Sequence, residues 1–370
     1  MAAALAGAVC GGDDGPHVSL VTIAPGGDLF SSMGHTALVF EGGPLEDPEA
    51  YDWGAFHQSP DAMWLFLRGE LPYFLHHQRW TRLVAKTAGQ RRTMVVQRLA
   101  LPEDAVLALL ERVRAESAPD RRAYTYRWDT ANCSTRARDA LDLATGSRLA
   151  ALLDHPVDAT ARTEGARHLW RWPIPAFAWR FVTSAALDRP LTGWSWSMVP
   201  QRLMEELDGT ELVAERCVTE GAYGFAPEAP PARWPWALPG LLGSLALLAA
   251  RGRPRLTGAL IGVYGLVLAL LGTSSFVLWA ITGFPGVGPT ANWLLAGPQS
   301  WAWLAVGWRR TRGRLEGRWR ALVVGLCALG VASPLVLLVP GHADTTEQIA
   351  AFLPGLVACF LAAQSQRTQG

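Results

Sequence analysis

Thr130-Ala131-Asn132-Cys133-Ser134-Thr135-Arg136-Ala137-Arg138-Asp139-Ala140-Leu141 is the stretch on which the reading of this chain turns. Ala137, Ala140, Leu141 and Ala144 recur at helical spacing on the face that holds Cys133. That spacing predicts an amphipathic helix with the cysteine in its first turn and a polar cap at Thr130 or Asn132. The N-terminus of a helix favours a thiolate, which is the nucleophilic form of cysteine. Arg136 and Arg138 would add positive charge nearby. A lone cysteine at a helix start also serves as a small buried residue, so a catalytic reading needs a base elsewhere in the chain.

Moving outward, that base is found upstream. His35 follows Ser31-Ser32-Met33-Gly34 and precedes the apolar run of residues 36–40, which reads as a strand. Asp52, in Tyr51-Asp52-Trp53-Gly54, sits on the next expected strand and is placed to hold an imidazole tautomer as the third group of a triad does. A histidine or aspartate alone at such positions is equally a structural residue. Cysteine, histidine and aspartate at the ends of separate elements together form a nucleophile, a base and an orienter. Further strands are predicted at residues 18–23, 93–99 and 124–128, and helices at 61–67 and 103–115. The second helix shows an apolar stripe of Val106, Leu109, Leu110 and Val113 behind Pro102-Glu103-Asp104. The N-terminal half is therefore expected to be α+β.

The C-terminal part is of another kind. The chain has 33 Lys and Arg against 32 Asp and Glu, a formal net charge of +1. From Arg233 onward there are 11 basic and 3 acidic residues, and before it 22 and 29, so the near-zero total is a cancellation. Half of all residues are hydrophobic and 18% are charged, which is too apolar for disorder and unusual for a soluble protein. Charge-poor windows at residues 234–250, 256–281, 291–308, 321–341 and 349–366 approach the roughly 20 residues that cross a bilayer. They predict five transmembrane helices in a membrane domain of residues 233–370. Arg251, Arg253 and Arg255 fall between the first two windows, and Arg309, Arg310, Arg312, Arg314, Arg318 and Arg320 between the third and fourth. Basic loops stay on the cytoplasmic side. Residues 16–232 would thus be exported to the periplasm, with the C-terminus cytoplasmic. Trp234, Trp236, Trp301, Trp303, Trp308 and Trp319 near the span ends fit an interfacial aromatic belt.

Residues 1–15 read as the remnant of a signal segment, with a weak lipidation motif before Cys10. Five cysteines without paired spacing do not make a disulfide scaffold. Cys327 and Cys359 lie inside expected spans as small apolar residues. His76 and His77 read as surface or interfacial residues without a metal. No phosphate-binding glycine loop, metal-ligand spacing or nucleic-acid motif is present, so no cofactor, metal or nucleic-acid partner is expected.

Gly34-His35-Thr36, Tyr51-Asp52-Trp53-Gly54, the stretch from Phe66-Leu67-Arg68-Gly69 to Pro72-Tyr73, Asn132-Cys133-Ser134-Thr135-Arg136, Asp188-Arg189-Pro190 and Met198-Val199-Pro200 recur in the order that marks one family. In these motifs, over about residues 18–215, the chain resembles the Lnb N-terminal periplasmic domain family. The resemblance implies a circularly permuted papain-like domain, similar to the NlpC and lecithin:retinol acyltransferase groups, followed by an all-α transmembrane bundle. It implies Cys133 as nucleophile and His35 as base; Asp52 comes from strand order alone. Helix-start N–H groups, with Asn132 and Ser134, are expected to line the substrate and oxyanion site. The implied activity is that of an inner-membrane lipoprotein N-acyltransferase, with a membrane phospholipid as acyl donor and a lipoprotein N-terminus as acceptor. A membrane-anchored NlpC-type cysteine peptidase or amidase, or a non-catalytic envelope sensor or assembly protein, would present the same residues. Met198-Val199-Pro200 departs from the more aromatic version the family is expected to carry.

Overall fold

The computed structural model describes residues 15–336, 338 and 343–364; most of the expected signal segment, with Cys10, and the ends of two expected spans lie outside them. The described residues form two compact units. One runs to Trp172 and takes in Arg189–Pro230; the other consists of Pro173–Asp188 and the chain from Pro231 onward.

The first unit is built on a seven-stranded sheet in the order β6-β4-β3-β2-β1-β5-β9. Its strands are β1 (His17–Ile23), β2 (His35–Glu41), β3 (Glu49–Phe56), β4 (Pro72–Arg79), β5 (Met94–Leu99), β6 (Ala123–Thr125) and β9 (Val213–Thr219), and every pairing is antiparallel. A separate two-stranded ribbon pairs β7 (Pro156–Thr160) with β8 (Pro190–Thr192). The central strands are buried on both faces. Val18, Leu20, Leu38, Phe40, Tyr51 and Trp53 enter the larger core, whereas Val21, Ile23, Ala37, Val39 and Ala50 enter the smaller one. This period-two division fixes the register, because a slip of one residue would exchange the two faces.

Helices cover the sheet: α1 (Ala62–Arg68), α2 (Trp80–Gly89), α3 (Glu103–Glu116) and α4 (Cys133–Ala144). Val106, Leu109, Leu110 and Val113 of α3 are all buried, as their spacing predicts, and meet Ala137, Ala140 and Leu141 of α4 in the larger core. Truncating one of these leucines to alanine would cost about 2–5 kcal/mol. The expected strand at residues 124–128 stops at Thr125, because Arg127 and Ala131 exchange backbone hydrogen bonds and turn the chain into α4. Cys217 on β9 is disulfide-bonded.

In the second unit, three helices are long and apolar enough to cross a membrane: Pro254–Ile281, Arg318–Val336 and Thr346–Gln364. The other two expected spans take different forms. The first is a short apolar helix, Ala237–Ala249. The third breaks into Asn292–Leu295, a 3-10 turn at Pro298–Trp301 and Ala302–Thr311. Gly297-Pro298 explains the break, since proline lacks an N–H and disfavours helical backbone before it. The broken segment packs along Pro254–Ile281 on a glycine face of seven-residue period. A Cβ at Gly258, Gly265 or Gly272 would lie 2.5 Å from the Gly307 oxygen, 2.2 Å from Trp303 Cβ and 2.0 Å from the Ala296 oxygen respectively. Trp303 is thus buried inside the unit and does not belong to an aromatic belt, whereas Trp234, Trp301 and Trp308 are exposed.

Arg310 donates from Nη2 to the Arg251 carbonyl oxygen at 3.1 Å, so the two arginine loops meet within this unit. The helix Pro173–Val182 packs by Phe177 and Phe181 among Trp236 and Phe352, and its Arg180 forms a buried ion pair with Glu347. The apolar run around residue 177 is therefore helical-unit core.

Candidate active site

The site is assembled from the ends of three elements in the first unit. Cys133 is the first residue of α4, whose cap is Asn132. Asn132 Oδ1 accepts from the backbone N–H of Ser134 at 2.8 Å and of Thr135 at 3.0 Å, while the Thr135 hydroxyl accepts from the Asn132 N–H at 2.9 Å. This reciprocal box satisfies donors that the helix cannot pair internally. Asn132 Nδ2 also donates to the carbonyl oxygens of Trp128 at 2.6 Å and Met198 at 3.0 Å, and the buried Ser134 hydroxyl donates to the Ser197 carbonyl oxygen at 2.7 Å. The Met198-Val199-Pro200 landmark therefore serves as the strap that holds the start of α4.

These bonds change the roles expected of Asn132 and Ser134. Their side-chain polar groups are engaged in the cap and the strap. Among the first N–H groups of α4, those of Ser134 and Thr135 are taken by Asn132.

His35 opens β2 beside this helix end. Gly34 before it has φ +80°, and a Cβ there would come within 2.8 Å of the Ile23 carbonyl oxygen, so the backbone requires glycine at this position. His35 Nε2 lies 3.2 Å from Asp52 Oδ1, and the imidazole is also a hydrogen-bond partner of Cys133. The His35 side chain is 22% exposed and that of Asp52 only 7%.

The register explains why Asp52 is there. Tyr51 and Trp53 are anchored in the larger core, and alternation turns Asp52 and Gly54 to the other face. A Cβ on Gly54 would meet His35 Cε1 at 2.4 Å, so the imidazole occupies the space that a side chain at that position would fill. Asp52 is further held by Gln78 Nε2, which donates to Oδ2 at 3.1 Å, and by His76 Nδ1 at 3.4 Å from the same oxygen. His76, expected at the surface or an interface, is thus a second partner of the carboxylate. Only the β3-β4 register, which pairs Asp52 with His76, reveals this. Gly54, His76 and Gln78 all escaped the sequence reading as parts of the site.

Electrostatics follow from these contacts. Burial disfavours the His35 imidazolium, but the Cys133 thiolate and the hydrogen bond to Asp52 outweigh it and raise the His35 pKa from 6.5 to about 10. Burial likewise opposes the Asp52 carboxylate, yet the hydrogen bonds from His35 and His76 hold its pKa below the usual range. Beside the site stands an aromatic wall. Tyr73 stacks on Tyr126 with centroids 4.5 Å apart, and Phe66 of α1 lies 6.0 Å from Tyr126. Burial, and then the thiolate charge, push the Tyr73 phenol up to about 12. Arg127 donates to the Gly69 carbonyl oxygen at 3.1 Å and ties α1 to the turn before α4. The Phe66-Leu67-Arg68-Gly69 and Pro72-Tyr73 landmarks thus gather beside the thiol. Arg138 is occupied elsewhere, paired with Asp139 at 2.7 Å and lying 3.7 Å from the Trp194 ring centre.

A partly open thiol at a helix N-terminus, bonded to an imidazole that a buried carboxylate orients, defines a thiol–imidazole–carboxylate site on an α+β domain. Residues 13–165, which contain all three side chains, match the family model described as the Lnb N-terminal periplasmic domain, the family that the ordered motifs resemble. The match and the three long apolar helices together suggest an inner-membrane protein with a periplasmic domain. No curated protein and no solved structure matches the chain.

Proposed function

We propose that this protein is a membrane-bound thiol acyltransferase that carries an acyl chain on Cys133. The observation that carries the reading is the alignment of Cys133, His35 and Asp52 at the N-terminus of α4, in a chain that also holds long apolar helices. In the first step the Cys133 thiolate adds to an ester carbonyl of a membrane phospholipid. The ester C–O bond breaks, the His35 imidazolium gives its proton to the departing oxygen, and an acyl thioester remains. In the second step the free N-terminal amine of a lipoprotein attacks the thioester, His35 takes the amine proton, and breaking of the C–S bond returns the thiolate. Asp52 keeps the imidazole oriented throughout, and the Cys133 N–H faces the oxyanion of each tetrahedral intermediate. The domain carrying this chemistry is read as a permuted papain-like fold, with histidine preceding cysteine in the chain.

The topology that suits this reading has five passes, with the short helix and the broken segment completing the three long ones. The arginine loops lie in the cytoplasm with the C-terminus, and the thiol domain lies in the periplasm. The meeting of Arg310 with Arg251 supports placing both basic loops on one side.

Mass spectrometry of lipoprotein N-termini from cells with and without this chain tests the function. N-acylated termini are expected only with it, together with a hydroxylamine-labile adduct on Cys133 that is absent in Cys133→Ser. Identical N-termini in both strains would sink the reading, and release of cell-wall peptides in place of acyl transfer would point to a peptidase.

A further inference from the structure

One turn beyond Cys133 on α4, the first unit holds a cavity that the acyl-transfer steps do not use. It is a wide-mouthed cleft of about 430 Å³, lined by Arg112 and Glu116 of α3, by Arg121, Arg122 and Tyr124 on the approach to and within β6, and by Arg136 of α4. That volume lies in the range of small-ligand sites. Four guanidinium groups share it with one carboxylate, and that carboxylate is already engaged: Glu116 Oε1 accepts from Trp53 Nε1 at 2.9 Å. The arginines have little internal reason to converge. Arg121 has only an exposed contact at 3.5 Å with the neighbouring Asp120, and exposed pairs of this kind contribute little. Arg122 lies over the Phe74 ring at 4.7 Å, and Arg136 over the Tyr124 ring at the same distance. Arg136 Nε is buried without a hydrogen-bond partner. A buried donor left unpaired is costly, and like charges gathered around a cavity repel. An anion with several acceptor oxygens relieves both costs.

We propose that this pocket binds the phosphate of a phospholipid headgroup and so holds the acyl donor beside the thiol; the assignment to a donor rests on the acyltransferase reading above. Guanidinium forks match phosphate oxygens with paired hydrogen bonds, and the rings beneath Arg122 and Arg136 hold the forks flat. The cavity is larger than a bare phosphate needs and leaves room for a glycerol backbone. The pocket also touches the strand that orients the imidazole. Tyr124 donates its hydroxyl to the Trp53 carbonyl oxygen, and Glu116 takes the Trp53 indole N–H, one residue from Asp52. The long apolar helices of the same chain favour a lipid phosphate over a free one as the occupant.

The test uses the full chain in detergent with Cys133→Ser, so that binding is read without turnover. The probes are short-chain phosphatidylglycerol, the matching diacylglycerol, inorganic phosphate and an acidic peptide, followed by calorimetry. The phosphatidylglycerol is expected to bind about tenfold or more tightly than the diacylglycerol. Inorganic phosphate should bind weakly and compete with it. Arg122→Gln with Arg136→Gln should remove the preference, and Arg136→Lys should restore part of it. The exposed pair Arg112→Gln and Arg121→Gln, which leaves the inner packing untouched, should weaken phosphatidylglycerol binding several-fold. Equal binding of the two lipids, binding unmoved by either double variant, or occupation by the acidic peptide alone overturns the proposal. Thioester formation on the wild-type chain is scored separately. A thioester without phosphate preference defeats the pocket alone, and phosphate binding without any thioester defeats the acyltransferase reading alone.

Discussion

Cys133 begins a helix, stands partly open to solvent and has His35 as a hydrogen-bond partner, whereas Cys359 lies wholly inside Thr346–Gln364 and Cys327 is packed against the same helix, donating to the Leu356 carbonyl oxygen at 3.5 Å. The same thiol is poised for chemistry in one region and is packing material in the other. The difference does not lie in the cysteine. It lies in the helix end that favours negative charge, the base at hand, and access for a reagent. The surroundings follow the same contrast. Around Cys133, asparagine, serine and histidine side chains spend their hydrogen bonds on fixing one geometry, while around Cys327 and Cys359 small and apolar residues let helices approach closely.

The most direct way to break this comparison is to remove each thiol in turn. Cys133→Ser is expected to lower acyl transfer on the order of 10³-fold or more. Cys327→Ala and Cys359→Ala should leave the rate unchanged and cost about 1 kcal/mol of stability. In the folded protein iodoacetamide should label Cys133 alone, so labelling of Cys359 at a similar rate would dissolve the contrast. Next in size is Gly54→Ala. The added methyl would contest the space of the His35 ring, 2.4 Å from Cε1, and a displacement of that order costs roughly 10²-fold in rate. Retained activity would show that the ring tolerates movement.

The pH dependence sharpens the electrostatic side. Because the folded-state pKa of His35 lies above its ordinary 6.5, at about 10, its charged form stabilises the fold fully below about pH 6.5, and that contribution is lost as pH rises through about 10. Melting temperatures of the wild type should therefore fall between these values more steeply than those of His35→Ala; parallel curves would refute the pairing. The smallest expected effect is on the cap. Asn132→Ala should cost about 1–2 kcal/mol, read from thermal or denaturant unfolding, by freeing the Ser134 and Thr135 N–H groups. An unchanged midpoint would show that the strap from Met198 holds α4 without it.

Much of this was legible in the chain itself. Local pattern sufficed for α3 and α4, because their apolar residues recur at helical spacing, and for β1, β2 and β5, because their apolar runs are short and rich in branched residues. The motifs around His35 and Cys133 pointed to the family that residues 13–165 match. The five charge-poor windows were less secure. Composition registers absence of charge, yet Gly297-Pro298 broke one window into short pieces, and another yielded a helix of only 13 residues.

By itself, then, the sequence determined the α+β character of the first unit, the apolar character of the second and the chemical identity of a candidate thiol and base, since each of these depends on residue type and near-neighbour spacing. Only the tertiary structure decided that Asp52 faces His35, that His76 and Gln78 hold Asp52, that Met198 and Ser197 strap the start of α4, and that the arginines of α3, α4 and the approach to β6 line one cleft. These depend on strand register and on which loop crosses which helix end. The physical reason is that such contacts join residues tens of positions apart, where no local periodicity records who meets whom.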